Sequence, residues 1–171
     1  MGLVISFQVE GGWAHAVLSA LVIALAANFL NLVDLRPLRA LKTYSAIVVL
    51  VAATIPFLWM DVFAEASVAA AVVLVTVLGP VASVWRYDAR ELGMLGDAGS
   101  NPAGAVAGVM IAIWWPTWAV GLAAGVLLAL NLASERFSFS AAIERSRVLS
   151  WLDRLGREPL ESGGAGGVSS P

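Results

Sequence analysis

Hydrophobic positions in this chain come in long continuous runs, separated by short polar segments, with neither the alternation of strands nor the single stripe of a soluble helix. Counted against the ~20 apolar residues that cross a bilayer, three runs are clear: Ala14 to Val33, Tyr44 to Met60 and Ala66 to Trp85. A fourth, from Pro102 to about Ala133, is too long for one ordinary span and carries Trp114-Trp115-Pro116-Thr117-Trp118 in its middle. It reads as one kinked helix or as two short ones.

Basic residues choose between these readings, because Lys and Arg in short loops collect on the cytoplasmic side. Arg36, Arg39 and Lys42 follow the first run, Arg86 and Arg90 the third, and Arg136, Arg145, Arg147, Arg154 and Arg157 the last. Five helices put every one of them on a single side, whereas four would strand the last group opposite the others. Five helices also leave Glu10, Asp61 and Glu65 outside and set Trp13, Trp59, Trp85, Trp114, Trp115 and Trp118 at interfacial depth. The predicted fold is an all-α polytopic membrane protein of about five transmembrane helices, N-terminus out and C-terminus in.

Four segments follow along the chain. Residues 1–13 are a short extracytoplasmic lead-in, lacking the basic n-region and small-residue cleavage site of a signal peptide. Residues 14–135 form the five-helix membrane domain. In 136–157, Ser140 caps a helix in which Ile143, Val148, Leu152 and Leu155 share a face beside several arginines, with Gly156 as a stop; this predicts a basic amphipathic helix lying on the inner leaflet. Residues 158–171, rich in Gly and Ser, have too little apolar area to order themselves and are expected to be disordered.

Composition agrees: 60% hydrophobic, 13% charged and a mean hydropathy of +0.85 lie far from the values of soluble domains. The absence of cysteine excludes disulfides, thiolate metal sites and thiol nucleophiles, and a single His15 excludes a histidine-cluster metal centre. Chemistry must rest on carboxylates, amides and basic groups, and nothing in the pattern points to nucleic acid.

Two polar segments stand at the ends of apolar runs. A charge near hydrocarbon costs at least ~2.5 kcal/mol unless it is solvated, paired or bound to a cation, so such residues are functional candidates. In Asn28-Phe29-Leu30-Asn31-Leu32-Val33-Asp34 the polar side chains recur every three residues and stack on one helical face. Either the amides bond neighbouring helices while Asp34 pairs with Arg36, Arg39 or Lys42, or the stripe lines a site. Gly96-Asp97-Ala98-Gly99-Ser100 precedes Asn101-Pro102, a helix-start signal that sets Asp97 just before a helix N-terminus. Its glycines allow close backbone approach, helix N–H groups suit phosphate, and a hard carboxylate suits Mg2+. The alternative is a tight turn with Asp97 as an ordinary cap.

Together, in this order and on one side of a polytopic chain, the two motifs resemble those of the polyprenyl-phosphate sugar-1-phosphate transferases, glycosyltransferase family 4. This family makes the first lipid intermediate of peptidoglycan and starts O-antigen and teichoic-acid synthesis. The resemblance covers roughly Ala14 to Glu135. It implies a multi-pass protein of the bacterial cytoplasmic membrane, with its motifs on the cytoplasmic side, that transfers a sugar 1-phosphate from a UDP-sugar to polyprenyl phosphate with Mg2+, or Mn2+ in its place, and releases UMP. Asp97 would be catalytic and hold the metal, and Asp34 would be catalytic within a polar floor. Asn28, Asn31, Arg36, Lys42, Gly99 and Ser100 would bind substrate, with Arg39, Arg86 and Arg90 as further counter-charge for a diphosphate. The chain carries half the family's usual helix count and lacks its Asp-Asp pair. It therefore resembles a C-terminal half: a truncated gene product, one of two complementing chains whose partner is a complementary N-terminal-half chain, or a shortened relative that lost catalysis.

A second class of function is a non-catalytic membrane scaffold or lipid-carrier-binding subunit. Gly104-Ala105-Val106-Ala107-Gly108 and Gly121-Leu122-Ala123-Ala124-Gly125 are G-x-x-x-G patterns on consecutive helices. They predict packing of these two helices against each other, or dimerisation. A transporter is a weaker third class, since no charge lies mid-helix and Gly79-Pro80 is the sole broken-helix cue.

Overall fold

With no water to satisfy backbone N–H and C=O groups in hydrocarbon, an apolar run must close its hydrogen bonds within itself and winds into a helix. A computed structural model of the chain describes residues 12–58, 63–136 and 143–156. Within these the elements are α1 (Gly12–Val33), α2 (Arg39–Leu58), α3 (Phe63–Ala89), α4 (Gly96–Trp114), α5 (Thr117–Arg136) and α6 (Arg147–Arg154), and no strand occurs among the described residues. The lead-in up to residue 11, Trp59, Asp61, Ser140 and the tail lie outside them.

The first and third apolar runs lie within α1 and α3, the described part of the second lies within α2, and the fourth is two helices. Trp115 turns extended (φ −99°, ψ 145°), its N–H closing α4 on the Ile111 carbonyl. Pro116, with no N–H to continue the ladder, lends its carbonyl to the amides of Ala119 and Val120 at 2.8 and 3.0 Å and so starts α5. Four segments are long and apolar enough to cross a membrane: Gly12–Val33, Arg39–Leu58, Ala66–Ala89 and Thr117–Glu135. The chain is therefore an all-helical, multi-pass membrane protein. Large apolar side chains such as Val17, Val68, Val72, Val75 and Leu122 point outward from these helices, as a lipid solvent allows.

Helix α1 lies at the centre, packed along α4 on one side and α5 on another, while α2 joins α3 and also flanks α4. Val22, Ala26, Leu30, Val48, Ala107 and Val120 fill the space between them. The α4 glycines determine the closest approach. A Cβ on Gly104 would sit 2.3 Å from the Ala26 carbonyl oxygen, and one on Gly108 2.6 Å from the Ile23 Cα. This corrects the expected pairing of the two G-x-x-x-G helices. The α4 motif meets α1; Gly121 of α5 faces Leu18 of α1 at 3.5 Å, and the Cβ direction of Gly125 is open. The reason is shape: Ala26 and Ala27 give α1 a smooth strip into which glycines fit backbone to backbone.

The expected cap of the C-terminal helix, Ser140, lies outside the described residues; within them, residues 143–145 form a helical turn that breaks at Ser146 before α6. Ser146 is its cap, its hydroxyl accepting the Leu149 N–H at 3.4 Å, and Gly156 (φ +79°) follows its end. Val148, Trp151, Leu152 and Leu155 are exposed, whereas Asp153 is buried.

Replacing Gly104 or Gly108 with alanine forces a Cβ into backbone atoms that cannot swing aside. Each variant is expected to lose about 1 to 3 kcal/mol, the usual cost of overpacking, despite alanine's better helix propensity, whereas Gly125→Ala should stay within about 0.5 kcal/mol. SDS-induced unfolding in mixed micelles measures both, and equal stability of Gly104→Ala and Gly125→Ala would refute the close approach.

Candidate functional site

The two polar motifs meet where α1 ends and α4 begins. Ser100, fully buried in the second turn of α4, donates its hydroxyl to Asn31 Oδ1 at 2.8 Å, sharing that proton with the Gly96 carbonyl at 2.9 Å. Three residues beyond Asn31, the chain leaves α1 through a turn in which the Asp34 N–H bonds the Asn31 carbonyl at 3.2 Å. The Asp34 carboxyl thereby lies over the start of α4.

That carboxyl is electrostatically uncomfortable. Both of its oxygens are shielded from solvent, and neither accepts a hydrogen bond of proper geometry. Burial raises its pKa above the ordinary carboxylate value; the neighbouring Asp88 carboxylate raises it further, the Gly96 amide lies close enough to lower it in part without completing a hydrogen bond, and Asp97 adds a smaller upward push. The expected pairing with Arg36, Arg39 or Lys42 is absent among the described residues.

A second acid, Asp88, faces this carboxyl. It lies in the last turn of α3, buried, and its Oδ2 accepts the Leu38 N–H at 2.6 Å. Leu38 is fully buried with φ +64°, a left-handed conformation that costs a branched residue roughly 1 to 3 kcal/mol. A charge-assisted bond from a buried carboxylate offsets that strain and holds the α1–α2 turn in place. Nothing but its position among Trp85, Arg86, Tyr87 and Arg90 marks this acid in the sequence, and there it reads as surface.

Helix α4 begins at Gly96, not at Pro102 as the helix-start signal predicts, so Asp97 lies in the first turn of the helix and not ahead of it. Gly96 enters with φ +60°, a left-handed conformation that glycine adopts without the strain Leu38 carries. Pro102 is then inside the helix, where its missing N–H costs one bond that packing against α1 outweighs. Asp97 is exposed, close to the positive end of the helix, and the Asn101 amide donates to its backbone carbonyl at 3.1 Å. At Gly99 the space for a Cβ is taken by the Leu95 side chain.

The remaining candidates are directed elsewhere. Asn28 donates to Asn131 Oδ1 at 2.5 Å, and Asn131, buried on α5, donates in turn to the carbonyls of Leu127 and Leu25, so this amide pair fastens α1 to α5. Arg36 pairs with Glu144 and lies 3.8 Å from Asp153; Arg39 pairs with Asp153 at 2.8 Å, both side chains buried. Lys42 donates to the carbonyls of Leu152 and Asp153, both at 2.9 Å, at the C-terminal end of α6 where the helix dipole favours a cation. Arg86 lines a groove between α2 and α3. At the opposite end of α1, His15 Nε2–H donates to the Ala112 carbonyl and Nδ1 accepts from the Thr117 hydroxyl, each at 3.0 Å, joining α1 to the α4–α5 break.

The structure thus brings Asn31, Asp34, Ser100 and Asp97 together, adds Asp88, and leaves Asn28 and the α1–α2 cations in structural contacts. Among the described residues no three acidic or histidine side chains converge to hold a metal unaided. Mg2+, however, needs only one or two carboxylates when waters and phosphate oxygens complete its shell. Comparison with protein-family models, curated proteins and solved structures finds no match to this chain.

Because the folded pKa of Asp34 is raised, the folded chain holds more protons than the unfolded one above the ordinary carboxylate pKa of 3.8. Stability from this group is therefore present at low pH and lost as pH rises through the raised value. Asp34→Asn should raise neutral-pH stability by about 1 kcal/mol, the low end for relieving a poorly satisfied buried group, and flatten the stability profile on its acid side. A variant less stable than the parent at pH 7 would contradict the burial of an unpaired charge.

Proposed function

We propose that this chain supplies the metal-holding and floor portion of a polyprenyl-phosphate sugar-1-phosphate transferase, with α1 to α5 all crossing the membrane, N-terminus out and C-terminus in. The observation that carries the reading is the bond from Ser100 to Asn31, since it unites two motifs 69 residues apart into one polar centre. In the reaction, a phosphate oxygen of polyprenyl phosphate attacks the sugar-bearing phosphorus of the UDP-sugar, and the bridging P–O bond to UMP breaks. Such a transfer depends on positioning and charge neutralisation. Exposed Asp97 would present the divalent ion, Mg2+ or Mn2+, while Asn31, Ser100 and Asp34 would form the floor beside it.

Helix α4 is not one of the four segments that qualify by length and hydropathy, yet it starts beside Asn31 and finishes beside His15, the two ends of α1. This supports five crossings. It also gathers the α1–α2 turn, the α3–α4 loop and α6 on one face, the side assigned to the cytoplasm by the arginines. There α6 would lie in the interface, with Val148, Trp151, Leu152 and Leu155 towards lipid and Arg145, Arg147 and Arg154 at headgroup level. A cysteine at Gly93, exposed in the α3–α4 loop, should react only with membrane-permeant reagents, and one at Trp13 with impermeant reagents from outside. The reverse pattern would invert the orientation.

The non-catalytic reading has its own support: Arg36, Arg39 and Lys42, expected to meet a diphosphate, are engaged with the α6 segment. Transfer assays in proteoliposomes separate the two readings. The chain alone should turn over weakly. Supplied with a complementary chain carrying an Asp-Asp pair, it should release UMP, with Asp97→Asn lowering the rate about 100-fold and abolishing the Mn2+ signal in electron paramagnetic resonance. Unchanged Mn2+ binding in that variant would reduce the α4 start to a capped helix, and indifference of the reconstituted pair to both Asp34→Asn and Asp97→Asn would leave the scaffold.

A further inference from the structure

We propose a second, separate binding site: the groove between α2 and α3 holds an anionic phospholipid of the bilayer, its phosphate on Arg86. The groove has a volume of about 410 Å3 and is lined by Ser45 of α2 and by Leu78, Val81, Ala82, Trp85 and Arg86 of α3. Apart from the Ser45 hydroxyl, which is donated to the Leu41 carbonyl within its own helix, and the Trp85 indole N–H, Arg86 is the sole polar side chain in this lining. Arg86 is exposed and forms no ion pair among the described residues.

What the groove leads into selects the occupant. Val68, Val72, Val75, Gly79, Ala82 and Arg86 follow one another at four- and three-residue steps, so they form one stripe along α3. All six are exposed, and nothing approaches the open Cβ direction of Gly79. The stripe is apolar for its whole length and ends on a cation in the last turn of a membrane-spanning helix. An acyl chain fits its length and a phosphate its end, with the half-buried Trp85 at the boundary that aromatic residues favour. Basic pockets between spanning helices select anionic headgroups in this manner. A soluble anion would use Arg86 alone and leave the stripe unexplained. The groove shares no lining residue with the Asn31–Ser100 centre, and its assignment does not rest on the transferase reading.

Native mass spectrometry of the purified full chain, titrated with phosphatidylglycerol or phosphatidylcholine, tests this. The parent protein should retain phosphatidylglycerol preferentially. Arg86→Gln should weaken that retention about fivefold, the worth of one cation near a headgroup, and Arg86→Lys should restore much of it. Ala82→Trp, which fills the groove while keeping the charge, should weaken it too. Equal retention of the two lipids by the parent, or unchanged phosphatidylglycerol binding in Arg86→Gln, would overturn the proposal. Unchanged binding in Ala82→Trp would overturn its placement in the groove.

Discussion

The contact between the backbones of α1 and α4 is the constraint from which the rest follows. Glycines 104 and 108 let α4 settle against Ile23, Ala26 and Ala27 with no side chain between. Association in lipid lacks a hydrophobic driving force between helices and relies on such close packing. Once the helices are locked at that height, Asn31 and Ser100 face each other at one end of the pair, and His15 faces Ala112 and Thr117 at the other. Any wider spacing would separate Ser100 from Asn31 and carry Asp34 away from Gly96. The polar centre is a consequence of an apolar fit.

That centre contains acids with opposite fates. Asp88 is buried but employed, because its carboxylate holds the strained Leu38 amide and fixes the turn that carries Arg36 and Arg39. Asp34 is shielded yet lacks a cation, and its two acidic neighbours deepen the penalty. A fold optimised for stability alone would place an amide or an alkyl group at position 34. Retaining a charge whose burial lowers stability is the pattern of sites that accept a ligand, where stability gives way to function. A divalent cation arriving near Asp97 would relieve that repulsion, so metal binding and folding would be coupled through the same carboxyl.

Much of this was legible in the residues. The runs and the break at Trp115-Pro116 are visible because bilayer length and proline chemistry act locally. The start of α4 is not legible in the same way: Pro102 is a fair sign of a helix start, but packing of Gly104 on α1 carries the helix back through Asn101, Ser100 and Gly99 to a left-handed Gly96. The partners of Gly104, Asp88, Asn28 and Arg39 were hidden for one shared reason. Each is chosen by which helices become neighbours, and neither spacing nor composition encodes that. Asn131, 103 residues from Asn28, carries no local sign that it will receive it.

The loop cations show how such contacts limit chemistry. Arg39 and Asp153 form a pair with both side chains about 6% exposed, and removing one partner of a buried pair typically costs ~3 to 5 kcal/mol. A diphosphate would have to repay that cost to recruit Arg39, while Lys42 would have to leave the carbonyls that end α6. Arg36 differs. Its own side chain is 38% exposed, and its partner Glu144 is 55% exposed; surface pairs of this sort are worth about 0 to 1 kcal/mol. Arg36 is therefore the more weakly held cation of this turn, although it also reaches buried Asp153 at 3.8 Å, and Arg39 and Lys42 are the means by which α6 is held to the α1–α2 turn.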